Sequence, residues 1–497
     1  MRAARDCRFA LPPPTWRQQG QALVFGIALL LAGLAGLYLL FNTVQIAAEK
    51  TRLVNAADAA AHGGGVMQAR ALNYDAYSNR ALMANEVLIA QLVSISSWSQ
   101  YAYEHATMLP YQFPECLDPE GYGAAIGAAF KYGVVYAVLC YATAQYAGDA
   151  IAEVADEVPD IVEEVVFAVE ASKAAIIGAR KLLHGDGNSP ADAALFTQAR
   201  DEVVQQIADA NYRNDGKVSA SVRAGSDGWS GFTRLYQGDE RKRFADAAQL
   251  AAWSDDFVKE RNWDAVPESS PLWESTCYAA KRKNSVKRRG GTELVNYDEW
   301  KAEDTESYWE VRNTGRLFPR CGSFEQPIAW GEQQAYPAGQ DQDESGAWLG
   351  GSPATNPTAH AYASSDAWNG YTGLPGFQDL APEWLKPEQR DPKLGMTVLL
   401  SRERSELLTP EGRSALRQAE DIGNRPSVTA YHGDFEGDRM QASSAVEVFF
   451  ARPPGSETNA WGARQGKPRE LASLFNPYWQ VRLVDPTSSN PSSGAKP

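Results

Sequence analysis

Ala22-Leu23-Val24-Phe25-Gly26-Ile27-Ala28-Leu29-Leu30-Leu31-Ala32-Gly33-Leu34-Ala35-Gly36-Leu37-Tyr38-Leu39-Leu40-Phe41 is apolar throughout, and no charged side chain occurs between Arg17 and Glu49. A bilayer core of roughly 30 Å takes about 20 such residues as a helix. Unpaired backbone groups are too costly in lipid for another single-segment conformation. The run exceeds the roughly 7–15 apolar residues of a secretory signal, and no Ala-x-Ala cleavage site follows it. The sequence therefore predicts a retained transmembrane helix over 18–42. Arg2, Arg5, Arg8 and Arg17, opposed only by Asp6, precede it. Positive flanks stay inside, so the N-terminus is expected in the cytoplasm and the bulk of the chain outside.

The chain has 497 residues and a formal net charge of −15. Because the N-terminal arm is basic, the remainder is more acidic still. Such a body repels phosphate, which argues against a nucleic-acid partner. Fourteen Trp, 21 Tyr and 17 Phe suffice for a packed core beyond the anchor.

Past the membrane run, Ile46, Lys50, Leu53, Ala57 and Ala60 recur at helical spacing. Glu49 and Arg52, one turn apart, are placed to pair on the surface of that helix. Gly63-Gly64-Gly65 then reads as a hinge or a close helix contact. The stripe resumes at Leu72, Ala76, Met83, Val87 and Ala90. Asn73, Asn79 and Asn85 on that stretch face either solvent or a partner. Residues 121–148 form a second apolar stretch, read as a buried helix packing on the one before it, with a second span as the lesser reading. Residues 149–182 form an acidic helix that Pro159 is expected to kink or break, and 191–212 another helix.

Composition shifts after residue 212. Short strands are expected at Val218–Val222, Gly231–Tyr236, Ser307–Val311, Met396–Leu400, Ala445–Phe450 and Tyr478–Leu483, with a helix at Arg241–Asn262. The basic runs Lys281-Arg282-Lys283 and Lys287-Arg288-Arg289 read as a solvated loop, or else as a dock for an acidic partner surface, such as the 153–170 face of another copy, or for anionic headgroups. The fold class is thus α+β. A single N-terminal transmembrane helix continues into a long-helix bundle and is followed by a β-containing distal domain. The divisions are a basic arm over 1–17, the span over 18–42, a helical stalk over 43–212, an α+β domain over 213–485 and a disordered tail over 486–497.

Gln18-Gln19-Gly20-Gln21-Ala22, the apolar run and Thr51-Arg52-Leu53-Val54-Asn55-Ala56-Ala57-Asp58-Ala59-Ala60-Ala61 together resemble the N-terminal region of TadE/TadG-like proteins of Tad/Flp pilus assembly. Ala71-Leu72-Asn73-Tyr74-Asp75-Ala76 continues the resemblance, which covers residues 17–95. It implies a bacterial inner-membrane component of a type IV-like pilus and secretion machine. The C-terminal part would be periplasmic or exported, the partners would be pilins or other assembly proteins, and no catalytic activity or cofactor is implied. Many TadG proteins carry a D-x-S-x-S metal site; Asp227-Gly228-Trp229-Ser230-Gly231 does not match it. The alternative is a membrane-anchored adhesin or ligand-binding ectodomain that shares only the anchor.

Candidate site residues are few. Ala28, Ala32 and Gly36 lie at i, i+4, i+8 and allow close helix approach in the membrane. Gly20 and Gln21 lie where a prepilin peptidase would cut. The fifth residue after Gly20 is Phe25, however, where pilins carry a glutamate, so an uncleaved arm is expected. Asp341, Asp343 and Ser345 match the first half of a calcium loop, but Ser352 stands where its bidentate glutamate belongs. The five histidines show no metal spacing, and no nucleophile elbow or phosphate loop occurs, so an enzyme is not expected. Of the cysteines, Cys116 and Cys140 are separated by a helix that carries them too far apart to pair. Cys277–Cys321 is the expected disulfide, and a buried, unpaired Cys140 stays open.

Overall fold

The computed structural model describes residues 19–112, 130–185, 194–213, 215–266, 284–315, 320–338, 352–364, 368, 370–386, 391–403, 406, 435–436, 439–452 and 471–486. One helix, α1 (Gln19–Gln112), runs for 94 residues, about 140 Å at 1.5 Å per residue. A second, α2 (Phe130–His184), runs back along its far half. Asp75 meets His184, Asn79 meets Arg180 and Glu86 meets Lys173. These pairs set the two helices antiparallel and put the start of α2 at the end of α1 remote from the apolar run. Pro159 sits inside α2 and does not end it. A third helix, α3 (Ala194–Asn211), packs on α1 near its middle.

The remaining elements are short helices and strands. The helices are α4 (Trp229–Phe232), α5 (Lys242–Ala252), α6 (Asp256–Lys259), α7 (Ser352–Thr355) and α8 (Pro357–Tyr362). An antiparallel sheet runs β1 (Ser219–Val222), β8 (Lys393–Glu403), β10 (Arg439–Phe450), β11 (Trp479–Val484), with β9 (Phe435–Glu436) beside β10. A second runs β3 (Trp263–Ala265), β4 (Ser285–Asn296), β5 (Glu299–Asn313), β6 (Cys321–Ala335). β2 (Thr233–Tyr236) pairs with β7 (Phe377–Leu380). The α+β class read from the sequence is what the fold contains, and among the described residues there is a single candidate membrane helix, as expected.

Both sheets pack on α1. Leu53, Ala56, Ala57, Ala60 and Ala61 are buried against Met396, Val398 and Leu400 of β8 and Met440, Ala442 and Val446 of β10. Alanine at these positions lets a sheet approach the helix closely. Gly63-Gly64-Gly65 is not a hinge, since α1 passes through it unbroken; it is a contact. A Cβ on Gly64 would sit 2.7 Å from Met396 Cε and 2.8 Å from Val204 Cγ2. A Cβ on Gly65 would sit 2.6 Å from Val481 Cγ2. The second sheet meets α1 farther out, where a Cβ on Gly331 would fall 2.2 Å from the Ser97 carbonyl oxygen.

Several local readings need correction. Gly231–Tyr236 opens as the helical turn α4 before the strand begins. The helix expected over 241–262 is two helices broken at Trp253–Asp255. Lys281-Arg282-Lys283 lies outside the described residues, and Lys287-Arg288-Arg289 is not a loop but lies in the first half of β4. Its charges are occupied there: Lys287 lies over the Trp309 ring, Arg288 reaches Asp304 and the Tyr101 ring, and Arg289 pairs with Asp264. Asn73, half-buried, and Asn79, fully buried, are held by their own chain. Asn73 exchanges hydrogen bonds with the Trp479 backbone, and Asn79 donates to the Gln378 and Leu474 carbonyls.

Candidate functional site

The site is the apolar length of α1 and the collar that grips the helix where that length ends. From Ala22 to Phe41 every side chain but that of Leu39 is exposed: Leu23, Leu29 and Leu37 are 68%, 73% and 64% exposed. Ala28, Ala32 and Gly36 lie on one side of it, all exposed, with open space around Gly36. Packing begins abruptly at Ile46, which is buried. The protein thus presents a free apolar rod, followed immediately by a helix packed along one side against its own chain.

At the junction the first charged residues are clamped. Glu49 accepts from Arg402 Nη1 at 2.9 Å, and Lys50 Nζ donates to the Gln441 carbonyl at 2.7 Å. Arg52 pairs with Asp215 and donates to the Asn211 carbonyl at 2.8 Å. Two guanidiniums lie over the Tyr212 ring, Arg52 at 4.6 Å and Arg402 at 4.4 Å from its centroid. Cation–aromatic contacts of this kind gain strength when shielded from water, and Arg402 is almost wholly buried. The Glu49–Arg52 surface pair expected from helical spacing does not form; each residue is taken by a distant part of the chain. Sequence reasoning missed Tyr212, Asp215 and Arg402. The available signal was that three charges at the mouth of a membrane helix need partners.

The other candidates are dispersed. Gly20 and Gln21 lie in the first turn of α1. Asp341, Asp343, Ser345 and Cys277 lie outside the described residues. Cys321, at the start of β6, is disulfide-bonded. Among the described residues no group of three or more His, Cys, Asp or Glu is arranged to hold a metal ion.

Residues 20–70 match the family model described as "Putative Flp pilus-assembly TadE/G-like". The matched segment contains the apolar rod, the clamp residues Glu49 and Arg52, the alanine seat and the three contact glycines. Together with the apolar helix it indicates membrane anchoring and associates the chain with pilus-assembly machinery in general. No curated protein and no solved structure matches the chain.

Proposed function

We propose that this chain is a single-pass component of the bacterial inner membrane in a Tad/Flp, type IV-like pilus-assembly and secretion system. It acts without catalysis, as an assembly factor or minor pilin-like protein, with its N-terminus in the cytoplasm and its body periplasmic or exported. One observation carries this reading: the helix whose residues 20–70, apolar run included, match the TadE/G-like family continues without a break through the body. The clamp on Glu49, Lys50 and Arg52 fixes that body rigidly to the rod. Such a protein would pack the rod against pilin or assembly-platform helices, using Ala28, Ala32 and Gly36 for close approach, and would carry the body into register with them.

The test replaces Val44 and Gln45 with a Gly-Ser linker of about eight residues, which keeps the anchor and the body but uncouples them. The rigid reading expects loss of surface pili with normal membrane levels of the protein. A simple tether would tolerate the linker. Intact pili with loss of cell adherence would instead favour a membrane-anchored adhesin.

A further inference from the structure

α2 carries two apolar seams, one buried and, among the described residues, one largely open. The inner seam, Ala152, Ala155, Val162, Val166 and Val169, is buried; its valines pack against Ile89, Ala90 and Val93 of α1. The outer seam is Ile151, Val154, Val158, Ile161 and Val165; Val158 at its centre is half-buried against the inner cluster, and the other four are exposed. Its spacing alternates three and four residues, the repeat that keeps a seam facing a partner helix over several turns. Ile151, Val154, Ile161 and Val165 are 48%, 70%, 60% and 38% exposed. Isolated exposed aliphatics are ordinary, but a heptad-spaced row beside a buried row interrupted only at Pro159 is the pattern of a helix built for neighbours on two sides.

The charges flanking the open seam define the neighbour. Glu157 and Glu164, both exposed, occupy the same heptad position along its free edge, and Glu153 and Asp160 stand one row further out. No Lys, Arg or His occurs between Lys131 and Lys173. Residues flanking such a seam select partners by charge. A second copy of this face would set one acidic row against another, which is destabilising. We infer that the outer seam of α2 docks an α-helix of a different protein, one with an apolar heptad stripe flanked by Lys or Arg. The seam lies along the half of the body remote from the membrane rod, so the docked helix would run beside α1 and α2 as a third strand of the bundle. This does not depend on the pilus-assembly reading, since it follows from the two seams and their charges alone.

The experiment uses the full chain in lipid nanodiscs, where no free detergent competes for the seam. The probe is a labelled synthetic helix of four heptads with Leu at both seam positions and Lys at the flanking positions, followed by fluorescence anisotropy. The expected result is binding that weakens at least tenfold in Val154→Ser/Ile161→Ser, which leaves every charge in place. A peptide with Glu at the flanking positions is expected to bind at least tenfold more weakly than the Lys peptide. The substituted side chains are exposed, and an unchanged thermal melt of the variant verifies its fold. Equal binding by wild type and variant would mean that charge alone attracts the peptide, and overturns the inference. So would equal binding of the Glu peptide, or no binding of the Lys peptide at about 100 µM. A wild-type dimer that the double substitution dissociates would give the seam to a second copy and overturn it equally.

Discussion

Lys173 and Glu86 meet at 2.7 Å with their side chains 1% and 0% exposed. Their pair ties α2 to α1 in the middle of the body. Lys173 also donates to Glu170 at 2.8 Å and to the Gly373 carbonyl at 2.9 Å. Glu86 accepts from Tyr371 at 2.6 Å and from Trp300 at 3.2 Å. Burial pushes the Glu86 carboxyl upward, and the Lys173 ammonium is the largest influence opposing it. Breaking such a pair leaves one charge uncompensated, which costs about 3–5 kcal/mol. Lys173→Met is therefore expected to lower stability by that order in urea unfolding. Adding Glu86→Gln should restore part of the loss, since it removes the orphaned charge. A double variant no better than the single one would refute the coupling.

The contact glycines are expected to differ sharply in tolerance. At Gly331 an added Cβ meets the backbone of α1 at Ser97 and Tyr101, which cannot move aside. At Gly63 it meets only the far end of the Ile207 side chain. Gly331→Ala should cost about 2–3 kcal/mol. Gly63→Ala should be near neutral, because a helical propensity gain of about 1 kcal/mol offsets the shift of Ile207. Calorimetric unfolding of the two variants ranks them, and the reverse order would contradict the packing described.

Stability should fall toward alkaline pH. Burial pushes Glu293 up to about 7, with Lys301 opposing. His360 is raised above its ordinary value of 6.5, chiefly by its hydrogen bond to Glu303. A group raised in the folded state favours folding fully below its unfolded value and loses that contribution as pH climbs through the folded one. For Glu293 the loss runs from about 4.5 to about 7, and for His360 from 6.5 upward. The melting temperature is expected to drop by a few degrees across this range. Glu293→Gln should flatten the lower part of the curve and His360→Gln the upper part. Wild-type and variant curves that run parallel would exclude these two groups as the source.

Cys321 is half of a disulfide, and Cys277 is the partner expected from the sequence. If they pair, Cys277→Ser should lower the stability of the body by about 2–4 kcal/mol, the usual contribution of a bridge closing a loop of this size. Peptide mapping without reduction identifies the partner. A cross-linked peptide joining Cys321 to any other cysteine would reject the assignment.

Most molecules are expected to keep the arm before Gln21. A pilin's glutamate in this helix is costly in lipid and is repaid by pairing with a neighbour's new amine. Phe25 occupies that position here, and no acid precedes Glu49 except Asp6 in the arm. N-terminal sequencing of membrane-extracted protein, with and without the prepilin peptidase, decides the matter. A dominant species starting at Gln21 only when the peptidase is present would overturn the expectation.

The membrane helix is legible in the sequence because lipid imposes one requirement on about twenty consecutive side chains. The alanine seat is legible because small residues recur at helical spacing. β4 and β6 are not. Strand recognition relies on apolar residues at every second position, and β5 between them buries Asp304 and Glu306 on the face toward α1. Asp304 accepts from Ser97 at 2.9 Å and from Arg261 at 2.8 Å, and Glu306 accepts from Tyr101 and is 3.1 Å from His105. Apolar contacts of Trp300, Ala302 and Ala335 with α1 give way there to hydrogen bonds, and that part of the sheet leaves no hydrophobic alternation to read. The clamp is hidden for a different reason: Glu49 and Arg402 are distant in sequence, and each has closer opposite charges along the chain. Only the path of β8 beside α1 chooses between them.

An unbroken α1 is also a lever. From the end of the apolar rod to Gln112 it extends about 100 Å. Membrane helices tilt by tens of degrees in response to their neighbours. A change of about 10° in the rod would sweep the far end of α1 through about 17 Å, given the helical rise. The clamp and the glycine contacts compel the body to follow. A sub-turn adjustment between helices in the bilayer would thus arrive, at the outer seam of α2, as a displacement wider than a helix.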